Sequence, residues 1–91
     1  MLFMVIERFK HGDPKLVGER FKRDGRMLPE DVIYHASWIE PTSFRCFQVM
    51  EAPHPEALAA WTSKWDDLVD FEVIPVVTSV EFWAKAQLEK T

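Results

Sequence analysis

Four polar side chains, His35, Ser37, Cys46 and Gln48, fall at alternate positions of two strand-like runs, Val32 to Glu40 and Ser43 to Glu51. Alternation sends every second side chain of a strand to one face, so runs joined at Pro41-Thr42 read as a hairpin that gathers the four groups. A register symmetric about that loop pairs Ile33 with Met50, His35 with Gln48, Ser37 with Cys46 and Ile39 with Phe44. The opposite face then pairs Tyr34 with Val49, Ala36 with Phe47 and Trp38 with Arg45. A polar strip with apolar flanks can orient a small, partly aromatic ligand while burying it. His35 would be its general base near neutral pH. The competing reading is that the strip satisfies itself inside a core or a subunit interface. A Cys46 nucleophile needs an activating base, and this register sets it across from Ser37, with His35 two residues further along.

Trp61 and Trp65 stand one helical turn apart, in phase with Leu58 and Leu68. They read as core first and as the wall of an aromatic-lined ligand pocket second. Trp38 facing Arg45 suggests a cation–π pair. His11, His35 and His54 are far apart and no Cys or His pair has ligand spacing, so no metal is expected. Asp66, Asp67, Asp70 and Glu72 read as a solvated acidic turn rather than a cation site. Gly12, Gly18 and Gly25 are too widely spaced for a phosphate-binding loop, and no cofactor is expected.

The elements that must position these residues follow from local signals. Leu2 to Phe9 is a short apolar run turning polar, of strand rather than helix length. Asp13 can cap a helix with Pro14 at its first position, and Gly25 suits the residue that ends it, which predicts a helix over 14–24. Gly18 inside it costs about 1 kcal/mol relative to alanine, which close packing against the sheet, or a ligand, would explain. Pro55 and Glu56 open a second helix. Val69 to Val77 is a fourth strand, and Pro75 within it requires a sheet edge. Thr78 and Glu81 have capping-box spacing, predicting a short last helix with Phe82, Trp83 and Ala86 on one side. The order βαββαβ with strand four at an edge predicts an α+β, ferredoxin-like sheet ordered 4-1-3-2, with the C-terminal helix appended.

Ninety-one residues form one domain over 1–91, with 47% hydrophobic and 13% aromatic residues. So small a chain buries only about 60 to 65% of its unfolded surface. Four tryptophans are hard to hide in such a core. The surplus apolar surface, with the appended helix, predicts a homodimer through the sheet face and the C-terminal helix. The single cysteine fits a reducing compartment, and the apolar start lacks a basic flank and is too short for a signal or a membrane span. A cytoplasmic protein without membrane contact is the expectation. Residues 1–26 hold seven Lys/Arg against four Asp/Glu, and residues 27–91 hold four against eleven. That is a basic helix on an acidic body, too weak a footprint for nucleic acid but able to steer an anionic ligand or partner.

The segments MLFMVIERFK, YHASW, RCFQVMEA and WTSKWDDLVDFEVIPV together resemble a family of short uncharacterised bacterial proteins of unknown function. That family is assigned to the dimeric α/β-barrel, ferredoxin-like superfamily, and the resemblance covers nearly the whole chain. It implies a subunit whose sheet packs on a second subunit's sheet. Relatives in that superfamily range from cofactor-free monooxygenases and lactone isomerases to haem-degrading enzymes and sensing domains, and none of their catalytic residues maps onto this sequence. Three functions stay open: a dimer that binds a small partly aromatic molecule at His35, Ser37, Cys46, Gln48, Trp61 and Trp65, a cofactor-free monooxygenase or isomerase, and a structural dimerisation module.

Overall fold

The strand Leu2–Phe9 (β1) forms the centre of the molecule, because it pairs antiparallel on both sides. A computed structural model of the chain describes residues 1–86, so the end of the domain expected over 1–91 lies outside the described residues. After a short turn over Lys10–Gly12 come α1 (Pro14–Asp24), β2 (Ile33–Glu40), β3 (Arg45–Glu51), α2 (Pro55–Thr62), β4 (Val69–Val76) and α3 (Ser79–Lys85). The sheet is antiparallel and ordered β2-β3-β1-β4, the expected ferredoxin-like arrangement, with the Pro75 strand at an edge where a missing donor is harmless.

The predicted caps form. Asp13 accepts the Lys15 amide at 2.9 Å, and Gly25 ends α1 with a φ of 67°, in the region that favours glycine. The Thr78 hydroxyl accepts the Glu81 amide at 3.1 Å. At the start of α2, the His54 ring accepts the Ala57 amide at 3.3 Å, a cap supplied by imidazole where Ser, Thr, Asp or Asn is usual.

Trp65 departs from expectation: it lies beyond α2, which stops at Thr62. There Thr62 and Ser63 turn their hydroxyls back onto the carbonyls of Ala59 and Ala60, and the chain tightens into three-residue turns closed by Trp65 on Thr62 and Leu68 on Trp65. The apolar stripe survives this change of helix type. Leu58, Trp61 and Trp65 are all buried, with Phe3, Val5, Met50 and Val69 beneath them.

The hairpin register also differs from the symmetric one. Glu40 pairs with Arg45, leaving a four-residue loop, because the Glu40 carboxylate accepts hydrogen bonds from Thr42 and Ser43 and holds the longer turn closed. Ser37 therefore faces Gln48, Ile39 faces Cys46, and Trp38 faces Phe47. Arg45 stacks on Phe47, 5.2 Å from its centroid, and not on Trp38. Between Tyr34 and Ala36 the register slips at His35, a bulge that reverses the faces of the residues before it.

Helix α1 buries no residue, and Leu16 and Phe21 stay about half exposed. It is held over the sheet from its rim, where Arg20 makes a bidentate pair with Asp67, both bonds 2.7 Å, and a bond to the Lys64 carbonyl. Arg8 and Lys10 make looser ion pairs with Glu72 and Asp70 of β4, each at 3.7 Å. Arg8, Lys10 and Arg20 of the basic first part of the chain thus pair with acids of its later part.

Candidate functional site

The face of β1 that looks toward the helices carries Phe3, Val5, Glu7 and Phe9 in strict alternation. The matching positions of β3 are Cys46, Gln48 and Met50, all buried. Under α2 this face is buried in the apolar core. Under α1 it is open, because the helix is held off the sheet, and a cavity of about 470 Å³ lies between them. Glu7, Ser37, Cys46 and Gln48 form its floor, and Trp61 and Trp65 close one side. The aromatic and aliphatic groups of Phe9, Val17, Phe21 and Phe44 supply most of the remaining wall. Gly18 also borders it, and a Cβ built there meets nothing within 4 Å. Close packing therefore does not account for that glycine.

Five of the six residues singled out in the sequence, Ser37, Cys46, Gln48, Trp61 and Trp65, border this one cavity. His35 does not. The bulge turns it to the outer face of the sheet, where its Nε2 lies 2.9 Å from the Glu51 carboxylate. The same reversal brings Tyr34 to the inner face, where its hydroxyl meets Ser37 Oγ at 2.6 Å. A bulge has no sequence marker as plain as a glycine or proline, so alternation counted through it assigned the wrong face.

Two residues that sequence reasoning passed over dominate the electrostatics. Glu7 is only 8% exposed, its carboxyl accepts a hydrogen bond from the Gln48 amide, and burial pushes it up to about 7, with Arg26 pulling the other way. The signal was present in β1, where a carboxylate sits in phase with Phe3, Val5 and Phe9. Arg26 follows α1 and lies against two rings, 3.6 Å from the Tyr34 centroid and 5.0 Å from that of Phe21. Its backbone carbonyl accepts both indole N–H groups, from Trp61 at 3.0 Å and Trp65 at 3.1 Å. A carbonyl oxygen has two lone pairs, and here both are used. Lys64 secures the next carbonyl, that of Met27, at 3.2 Å.

These contacts decide what the cavity offers chemically. With their N–H groups spent, the tryptophans present hydrocarbon ring to any occupant. The Cys46 thiol is raised to about 12 by burial and by the neighbouring Glu7, so it is protonated and inert as a nucleophile at neutral pH. Among the described residues no group of three or more His, Cys, Asp or Glu side chains converges as metal ligands would. The acidic turn is engaged instead in ion pairs, Asp67 with Arg20 and Asp70 with Lys10. Among the same residues no helix is long and apolar enough to cross a membrane.

A family model described as a domain of unknown function (DUF3303) matches residues 1–88, and the chain belongs to that family. No curated protein and no solved structure matches it.

Proposed function

We propose that this DUF3303 domain binds a small, partly aromatic molecule in the cavity between α1 and the sheet, and does so as a homodimer. The cavity is the observation that carries the reading: about 470 Å³, walled by Trp61 and Trp65 and floored by Glu7, Ser37 and Gln48, it has the size and the mix of apolar wall and few polar groups typical of ligand sites. A dedicated structural module would gain by filling that space, since unfilled volume under a helix forfeits packing. Gly18 borders that space, and a Cβ built there meets nothing within 4 Å.

Support for the dimer comes from the opposite side of the sheet. Leu2, Met4, Ile6, Phe47 and Val49 are half-buried there, Trp38 is 60% exposed and Ile33 51%. Val80 and Phe82 of α3 are exposed as well. An apolar face of this kind is covered by a self-complementary contact with a second copy. Trp38→Glu is expected to shift the chain from dimer to monomer in sedimentation equilibrium.

A panel of neutral one- and two-ring aromatic fragments tests the cavity. Members that bind raise the melting temperature and quench the emission of Trp61 and Trp65. Gly18→Phe places a ring in the cavity and abolishes both effects, whereas His35→Ala leaves both intact. Binding that survives Gly18→Phe unchanged refutes this location.

A further inference from the structure

We infer that the ligand is a small aromatic carboxylic acid, held as its anion by the Arg26 guanidinium, and that Glu7 takes up a proton from water as it binds. This rests on the cavity reading above and adds the chemical class to it. The first support is a contrast among the arginines. Arg8, Arg20, Arg23 and Arg45 are each ion-paired, with Glu72, Asp67, Asp24 and Glu40. Among the described residues Arg26 is the one arginine in no salt bridge, none of their hydrogen bonds uses its guanidinium donors, and the carboxyl it acts on, that of Glu7, lies beyond ion-pair contact. Arg26 borders the cavity nonetheless, with one face stacked on Tyr34. A guanidinium held by its face keeps its edge for a planar, bidentate acceptor, which a carboxylate supplies.

The second support is where the remaining polarity lies. Both indole N–H groups are committed to the Arg26 carbonyl, and Phe9, Phe21 and Phe44 have none to give. An occupant therefore meets rings at its ring and polar groups only on the side of Arg26, Glu7, Ser37 and Gln48. A cationic ligand is disfavoured by Arg26. An anion is favoured by Arg26 but repelled by an ionised Glu7, and protonation turns that repulsion into an O–H donor for the ligand.

Glu7 is poised for this uptake near neutrality, because burial has raised it to about 7. The groups facing it leave it the one that titrates there. Gln48 and Cys46 face it from β3, Phe71 from β4 and Arg26 from the segment after α1, and the Cys46 thiol stays neutral. The sides of α1 and α2 that border the cavity contribute Val17, Phe21 and Trp61, which are apolar there.

The test is calorimetric titration of the intact chain with naphthoate and its neutral isostere naphthamide, in buffers of different protonation enthalpy, across neutral pH. Naphthoate binding is expected to take up close to one proton above about pH 7 and to weaken about tenfold per pH unit there. Naphthamide binding is expected to be independent of pH. Glu7→Gln removes the proton uptake and the pH dependence. Arg26→Gln loses naphthoate and keeps naphthamide, which also reports that this variant is folded. If naphthamide binds and is blocked by Gly18→Phe, while naphthoate binds no more tightly and without proton uptake, the acid reading is overturned and the cavity reading stands. If neither ligand binds, both are overturned.

Discussion

The two helices lie over the same face of one sheet and treat it in opposite ways. Beneath α2 the sheet offers Phe3, Val5 and Met50, and Leu58 and Trp61 are buried with them in one apolar cluster. Beneath α1 it offers Glu7, Ser37, Cys46 and Gln48, and the helix answers with Val17, Gly18 and Phe21 held at a distance. One half is stabilised by excluded water and dispersion, the other by the Arg20–Asp67 ion pair at its rim and by two indoles on a single carbonyl. Stability and binding are divided between the halves, so substitutions in each have separable effects.

The largest effect is expected in the packed half. Leu58 is 1% exposed, and Leu58→Ala removes its contacts and leaves a void, costing about 2 to 5 kcal/mol in urea-unfolding experiments. A loss within the range of surface substitutions, about 0.5 kcal/mol or less, means that this half is not the one that carries stability.

The open half contributes through Glu7, and its sign is opposite to that of an ordinary salt-bridged acid. A carboxyl raised from 4.5 to about 7 favours the protonated folded state. Its contribution is full below about pH 4.5, declines as pH rises toward 7, and is constant above. The range corresponds to about 3 kcal/mol. Glu40 is lowered to about 2 by hydrogen bonds from Ser43 and Thr42, and Asp67 is lowered by the bond from Arg20, so both act the other way and only at lower pH. Urea midpoints of the wild type should therefore fall between about pH 4.5 and 7, and those of Glu7→Gln should not. Parallel curves for the two proteins would show that Glu7 ionises in its ordinary range.

The smallest effect sharpens the contrast from the helix side. Gly18→Ala should stabilise the chain by up to about 1 kcal/mol, since it restores helix propensity and the added methyl meets nothing. Thermal melting decides it. Destabilisation would mean that α1 sits closer to the sheet than the cavity requires.

Much of this architecture was legible in the residues alone. Asp13, Pro14 and Gly25 set the limits of α1, and Pro75 assigned β4 to an edge, because capping and proline chemistry act within a few residues of themselves. Three of the four hairpin residues and both tryptophans were brought to one place for the same reason, since alternation and helical phase are local geometry. His35 was lost to a one-residue bulge, and the register to a turn that Glu40 holds two residues longer than the symmetric one.

Local chemistry thus set the order of elements, their ends and the apolar stripe of Leu58, Trp61 and Trp65. The chemistry of the space between them came from contacts distant along the chain. The pairing of Arg20 with Asp67 spans 47 residues, and the indole bonds to Arg26 span 35 and 39. A charge or a donor carries no mark of a partner that far along the chain. Glu7 becomes a neutral-range acid, and Arg26 the one arginine outside a salt bridge, only once folding has removed water from one and matched the other arginines elsewhere.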